Sequence, residues 1–208
     1  MNFNFVLVFF CAYLLGSIPT SYLMGKIIKG IDIRQFGSGN VGASNALRVL
    51  GTKVGITTLL IDTAKGFFAV YLGNILLQNH SILILISIGL FAIIGHIFTI
   101  FLKFKGGKGV ATSTGVFIAL APIPVLISLS VFLLAVIISK YISLGSILAA
   151  LAFFITELII NIHNSFDSIE LLIFAFVITL FIIVRHKSNI KRIIDGNENK
   201  ISFKSRRN

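Results

Sequence analysis

The first segment of the chain that could do chemistry, residues 37–48, is rich in glycine and small polar residues and ends in an arginine. Glycines let backbone amides converge on an anion, Ser and Asn side chains donate neutral hydrogen bonds, and a guanidinium fork suits phosphate. The candidate ligands are Ser38, Asn40, Ser44, Asn45 and Arg48. Taken alone, the segment fits a phosphate-binding loop about as well as a tight polar turn between two helices.

A second segment combines three glycines with two lysines directly before a predicted helix. It consists of Lys105, Gly106, Gly107, Lys108 and Gly109. Amides at a helix start attract an anion, and a lysine there would neutralise it. It is not a Walker A loop, because Lys108 is followed by glycine and not by Ser or Thr. Lysines that only fix membrane topology would explain the charge but not the glycines.

A third segment, residues 185–198, follows the last apolar stretch of the chain. If it is helical, its polar side chains share one face at spacings of three and four; they are Arg185, His186, Asn189 and Arg192. Basic residues at this point can simply anchor a membrane helix. His186 and Asn189 are not needed for anchoring, so they are the stronger candidates for chemistry.

The composition indicates a membrane protein. Of the 208 residues, 56% are hydrophobic and 12% are charged, whereas soluble domains are about 25% charged. The net charge of +11 would suggest nucleic acid in a soluble protein. In a membrane protein it is better explained by the collection of Lys and Arg in cytoplasmic loops, so no nucleic-acid partner is expected.

Apolar stretches long enough to cross a bilayer need about 20 residues. They are predicted at 3–25, 53–77, 81–102, 141–162 and 166–184. The stretch 110–138 carries Pro122 and Pro124 near its middle, where proline favours a break, so it is predicted to form two helices. The first of these, 110–120, is too short to span a normal bilayer unaided and could be a re-entrant half-helix.

Charge placement supports that break. With a hairpin at the prolines, every Lys and Arg except Lys65 falls in loops and the tail on one side, and the opposite loops carry none. We therefore predict an all-α integral membrane protein with about seven transmembrane helices, the N-terminus outside and the C-terminus in the cytoplasm. Residues 1–208 are expected to form one domain, in which 200–208 could be a disordered basic tail.

Two charged residues, Asp62 and Lys65, lie three apart inside the second apolar stretch. Isolated charges in a membrane are costly, so a buried structural pair is favoured over a substrate contact. The His, Cys and acidic residues do not cluster at ligand spacing, so neither a metal nor a cofactor is expected.

The three segments resemble, in order, the motifs of the bacterial membrane acyl-phosphate:glycerol-3-phosphate acyltransferases, the PlsY family. The resemblance runs from residue 16 to residue 198 and includes Gly95-His96 ahead of the second segment. Two departures are mild. Ser44 stands where the family usually has Thr, which keeps the hydroxyl, and Thr99 stands where Pro is common.

The resemblance implies transfer of an acyl group from acyl-phosphate to the 1-hydroxyl of sn-glycerol 3-phosphate, giving lysophosphatidic acid and phosphate, the first acylation of phospholipid synthesis. It implies a multi-pass protein of the bacterial cytoplasmic (inner) membrane whose active site faces the cytoplasm. Besides these substrates, the expected partners are membrane lipids and the enzyme that makes acyl-phosphate.

The resemblance also implies roles for individual residues. Ser38 would lie beside the reacting acyl carbonyl, with His186 and Asn189 as further catalytic residues. The remaining residues of the first two segments, with Ser143, would bind phosphate or glycerol 3-phosphate, while Glu198 would be structural. Either His186 or a substrate phosphate oxygen could take the hydroxyl proton.

A transporter or flippase of a phosphate ester is the competing interpretation. Transporters usually bind their substrate near the membrane midplane, often between paired repeats. Here the basic candidates lie at one predicted interface and no repeat is visible, which favours the enzyme.

Arg48→Lys tests the phosphate assignment, because it keeps the charge and removes the bidentate fork. We expect kcat/KM to fall about tenfold or more. Steady-state kinetics of the purified variant measure this, and wild-type kinetics would remove the assignment.

Overall fold

The computed structural model describes residues 3–78 and 81–201, and these residues are all-helical, as predicted. They form ten α-helices: α1 Phe3–Ser17, α2 Thr20–Lys29, α3 Ala43–Leu50, α4 Thr52–Leu77, α5 Ile82–Ile97, α6 Val110–Leu120, α7 Pro122–Ser139, α8 Ile142–His163, α9 Ile169–Arg185 and α10 Lys187–Ile194. Short 3-10 helices lie at Ile33–Gln35 and Ile100–Leu102. The chain divides into two compact units, one ending at Pro122 and the other beginning at Ile123.

Four of the helical spans among the described residues are long and apolar enough to cross a membrane, and six are if each bent helix pair counts as one span. The seven spans and the direction of the termini therefore stay predictions. The proline break is present, since α6 ends at Leu120 and α7 begins at Pro122. Proline is tolerated as the first residue of a helix because the N–H of that residue has no partner within the helix.

The first predicted stretch is not one straight helix. It divides into α1 and α2 at Ile18 and Pro19, with a bend of 41°. Proline lacks an N–H and disfavours the helical conformation of the residue before it. The backbone carbonyls left over at this break accept hydrogen bonds from side chains of other segments, described below.

Close helix contacts organise the N-terminal unit. A Cβ atom added at Gly66 in α4 would clash with the carbonyl oxygen of Thr112, and one added at Gly115 in α6 would clash with the carbonyl oxygen of Thr63. The two backbones therefore touch along this stretch, as small residues permit in membrane helices. Asp62, in the same part of α4, forms a buried ion pair with Lys65.

The C-terminal unit is built on α8 and α9. The Thr179 hydroxyl donates to the Ala150 carbonyl at 3.0 Å, and the rings of Phe154 and Phe176 lie 5.5 Å apart. After α9 the chain bends by 54° at His186 into α10, so the third segment does not continue straight. Of the predicted basic tail, residues 202–208 lie outside the described residues.

Gly66→Ala and Gly73→Ala compare two glycines of one helix. A Cβ at Gly66 meets backbone, whereas one at Gly73 meets mainly the end of the Ile88 side chain, which can move. Overpacking costs about 1–3 kcal/mol, so we expect Gly66→Ala to lower the unfolding temperature in detergent clearly more than Gly73→Ala. Equal effects would show that the α4–α6 contact is not rigid.

Candidate functional site

The first segment is held in shape by Asn45. Its side-chain oxygen accepts the Ser38 N–H at 2.8 Å, and its amide nitrogen donates to the carbonyls of Ile33 and Phe36 at 3.2 and 3.1 Å. Asn45 is almost fully buried, and these bonds use both of its N–H groups. Asn45 therefore fixes the backbone beside Ser38, which differs from its expected role as a phosphate donor.

An ion pair stabilises the entry to this segment. Asp32 accepts hydrogen bonds from the Arg34 side chain and from the Arg34 N–H, and so caps the 3-10 helix. The hydrogen bond from the Arg34 side chain, with a further contribution from its charge, lowers the pKa of Asp32 to about 2 despite the opposing effect of burial. Arg34 also lies over the ring of Tyr22 in α2.

The second half of the first segment is helical. Ser44 lies in the first turn of α3, Arg48 lies one turn later, and both are half-buried. A helix start carries partial positive charge and favours anions. Ser38 and Asn40 lie in the turn before α3, where Ser38 is exposed and Asn40 is half-buried.

The second segment folds back onto the end of α5. The N–H groups of Gly106 and Gly107 donate to the carbonyls of Ile97 and His96 at 2.9 and 3.1 Å. Side chains at these glycines would clash with His96, which explains the glycines by close packing. Because both N–H groups already donate to carbonyls of α5, these two glycines would contribute to substrate binding through the shape of the loop more than through hydrogen bonds from their N–H groups.

Both lysines of the second segment lie close to the start of α6. Lys105 is exposed and Lys108 is half-buried, while Gly109 has a left-handed backbone (φ 87°) and precedes the first helical residue. This confirms the predicted helix start and puts Lys108 two residues before it. Thr112 and Ser113, in the next turn, are buried.

In the C-terminal unit, His186 is oriented by the backbone. Its Nδ1 lies 2.8 Å from the carbonyl oxygen of Ile182, and the side chain is buried. Because a carbonyl can only accept, Nδ1 must carry the proton. In the neutral ring Nε2 is then the basic nitrogen.

Three further residues of this unit meet at Glu198. One carboxylate oxygen accepts from the Asn189 amide at 2.7 Å and the Ser143 hydroxyl at 3.0 Å, and the other accepts from Arg192 at 2.7 Å. Burial raises the pKa of Glu198, but the hydrogen bonds from Asn189, Arg192 and Ser143 outweigh it and lower the pKa below its ordinary value. The structure thus brings Ser143 to Asn189 and Glu198, although Ser143 lies 55 positions from Glu198 in sequence.

The family model for glycerol-3-phosphate acyltransferases matches residues 6–196. The chain belongs to this family. Glycerol-3-phosphate acyltransferases from Chlorobaculum tepidum and Endomicrobium trichonymphae are both 46% identical to it; the alignments cover 96% and 94% of this chain and 97% and 95% of theirs. The predicted family is therefore confirmed, and the family match gives the transporter interpretation no support.

A solved family member has the same fold. The crystal structure of PlsY, an integral membrane glycerol 3-phosphate acyltransferase, in its glycerol 3-phosphate form is 37% identical, with a TM-score of 0.84 over 95% of this chain and 96% of that one. Its lysophosphatidic acid form is similar, with a TM-score of 0.82, 36% identity and coverage of 95% of each chain.

Glu198→Gln tests the carboxylate that joins Ser143, Asn189 and Arg192. The folded protein lowers the pKa of Glu198, so the carboxylate contributes stability above the unfolded value of about 4.3, and this contribution is lost as pH falls through the folded value. Leaving buried donors unpaired costs about 1–3 kcal/mol. We expect the unfolding temperature at neutral pH to fall by at least about 2 °C, and the difference from wild type to shrink in acid.

The control for this variant is Asp195→Asn, which neutralises an exposed acid three residues away. Thermal unfolding of wild type and both variants across a pH series makes the comparison. A Gln variant as stable as wild type at neutral pH would contradict the role of Glu198.

Proposed function

We propose that this protein transfers a fatty acyl group from acyl-phosphate to the 1-hydroxyl of sn-glycerol 3-phosphate. The family match over residues 6–196 carries the proposal. The similarity to PlsY structures named for their glycerol 3-phosphate and lysophosphatidic acid forms supports this acceptor and this product. The proposed setting is the bacterial cytoplasmic (inner) membrane, with seven spans, the N-terminus outside and the site facing the cytoplasm.

The reaction converts the mixed anhydride of the acyl group into an oxygen ester. The 1-hydroxyl oxygen bonds to the acyl carbon, the bond from that carbon to the phosphate oxygen breaks, and the hydroxyl proton ends on the released phosphate. Acyl-phosphate is a mixed anhydride and already activated, so the protein mainly has to position the alcohol and stabilise charge on the carbonyl and the leaving phosphate. No cofactor or covalent acyl-enzyme is required.

The N-terminal unit supplies groups suited to two phosphorylated substrates. Ser44 lies in the first turn of α3 and Lys108 lies before α6, where helix starts favour anions, and Arg48 adds a guanidinium one turn after Ser44. The Ser38 backbone, fixed by Asn45, sets the Ser38 hydroxyl beside the acyl carbonyl in the proposed reaction. Asn40 and Lys105 complete the proposed phosphate contacts of this unit.

The C-terminal unit supplies oriented polar groups. Glu198 fixes the side chains of Asn189 and Ser143, so that they act on substrate from defined positions at little entropic cost. Protonation of Nδ1 makes His186 Nε2 one possible acceptor of the hydroxyl proton. A phosphate oxygen of the substrate is the other, and activity retained in His186→Asn would identify it.

The acyl donor distinguishes the proposed reaction from the reactions of other glycerolipid acyltransferases. Many of those use a His-x-x-x-x-Asp pair, in which the carboxylate orients a histidine base. No histidine of this sequence has an Asp at that spacing. A thioester donor such as acyl-CoA is correspondingly disfavoured, and the enzyme that makes acyl-phosphate becomes the expected supplier.

Phosphate release by the purified protein tests the function directly. Palmitoyl phosphate and glycerol 3-phosphate are supplied together and then singly, and lysophosphatidic acid is identified by mass. We expect release of phosphate only with both substrates, and a fall of about 100-fold or more in Ser38→Ala, the scale for loss of a group that contacts the transition state.

Ser130→Ala is the matched control, since among the described residues the hydroxyl of this exposed serine bonds to the Leu126 carbonyl of its own helix. Turnover with palmitoyl-CoA in place of palmitoyl phosphate would overturn the donor. Glycerol 3-phosphate binding without turnover on either donor would overturn the enzyme and favour the transporter.

A further inference from the structure

A buried ion pair in α4 connects directly to the break between α1 and α2. Lys65 Nζ lies 2.8 Å from Asp62 Oδ1, and the two side chains are 4% and 2% exposed. The same ammonium group donates to the carbonyls of Gly16 at 3.2 Å and Ile18 at 2.7 Å. These are carbonyls at the break, where the regular helical acceptor pattern is interrupted.

Two threonines complete this arrangement. The Thr20 hydroxyl, in the first turn of α2, donates to Asp62 Oδ1 at 2.7 Å. The Thr99 hydroxyl, just after α5, donates to the Ser17 carbonyl. Three successive carbonyls, those of Gly16, Ser17 and Ile18, therefore bond to side chains of other segments, and α2 is held to α4 through Thr20.

α4 also contacts α6, which follows the second segment, and α3, which contains the end of the first segment. Thr63 and Gly66, on either side of Lys65, lie in backbone contact with α6, which starts at the second segment. Nearer its start, α4 meets α3 closely, because a Cβ at Gly55 would lie 2.5 Å from the Leu47 side chain. α2, α3 and α6 thus all take their positions from one helix.

We infer that Asp62 and Lys65 are positioning residues for the reaction, which set the bend between α1 and α2 and through α2 the placement of the first binding segment. The inference rests on the proposed function for its catalytic consequence. The pair acts through the backbone of residues 16–18 and through Thr20, without contacting substrate.

Stability alone does not account for the pair. Replacing a buried ion pair by apolar groups of similar size is often neutral or stabilising, because desolvation of the ions offsets their attraction. A Lys at this point contributes geometry, because one ammonium has three donors. Here the three donors connect Asp62 with two carbonyls at the break. Regular helical hydrogen bonds do not fix the angle of this break.

The test removes both charges together. Asp62→Asn/Lys65→Met leaves no unpaired buried charge, yet removes the donors to Gly16 and Ile18. We expect the unfolding temperature to stay within about 5 °C of wild type, while kcat/KM for glycerol 3-phosphate falls about tenfold or more. A double variant with wild-type kcat/KM would overturn the inference, because the pair would then only balance its own charge.

The bend itself is measured without reference to activity. Spin labels are attached at Val6→Cys in α1 and Ile27→Cys in α2, both exposed sites, in a Cys11→Ser background. Double electron–electron resonance spectroscopy then measures the distance between the two helices. We expect one narrow distance distribution with the ion pair present and a shifted or broader one in the double variant. An unchanged distribution would overturn the inference.

Milder variants keep the inference testable if the double variant does not fold. Thr20→Val removes the hydroxyl donor to Asp62 at nearly constant volume, and Thr20→Ser restores it. We expect Thr20→Val to lower kcat/KM several-fold with little change in unfolding temperature, and Thr20→Ser to recover it; equal kcat/KM values for the two would overturn the inference. Thr156→Val is the matched control, because within the part of the chain that the structure describes its hydroxyl bonds to the Ala152 carbonyl of the same helix.

Failure of the function and failure of the inference give different results. Wild-type protein that turns over neither donor contradicts the proposed function, and the distance measurement still decides whether the pair sets the bend. Active wild-type protein with an unchanged double variant contradicts the inference alone.

Discussion

Burying a carboxylate and an ammonium in an apolar helix bundle is costly unless each ion is paired and fully hydrogen-bonded. Lys65 meets this condition by pairing with Asp62 and donating to backbone carbonyls that a proline break had left without helical partners, while Asp62 also accepts a hydrogen bond from Thr20. The break therefore supplies acceptors that the buried ammonium needs, and the ammonium supplies donors to carbonyls that the break leaves without helical partners. Because α4 also contacts α3 and α6 through glycines, this single constraint bears on both segments of the N-terminal unit that are proposed to bind phosphate.

Rigid backbone placement is also what the proposed chemistry requires. With an activated donor, rate depends on alignment and on donors fixed before the charge develops. Asn45 fixes the backbone at Ser38, Ile182 fixes the ring of His186, and Glu198 fixes Asn189 and Ser143. Each proposed catalytic group is thus held by a neighbour whose own role is structural.

The sequence predicted the features that depend on local chemistry. Hydrophobic length predicted the helices, Pro122 the break before α7, and the glycine-lysine segment the start of α6; the motifs predicted the family. Features that depend on contacts between distant residues were not predictable from pattern. Asn45 was expected to bind phosphate, and the Thr20 and Thr99 hydroxyls gave no signal, because each acts on a partner at least seven positions away. The break at Pro19 was also not predicted, although proline gives the same local signal there as at Pro122.

In the proposed reaction the glycerol 3-phosphate oxygen attacks carbon and not phosphorus. Glycerol 3-phosphate carrying ¹⁸O in its 1-hydroxyl, reacted with palmitoyl phosphate on the purified enzyme and followed by mass spectrometry, measures this directly. We expect lysophosphatidic acid that retains the label and released phosphate that carries none. Free palmitate together with a labelled glycerol bisphosphate would show phosphoryl transfer and contradict acyl transfer.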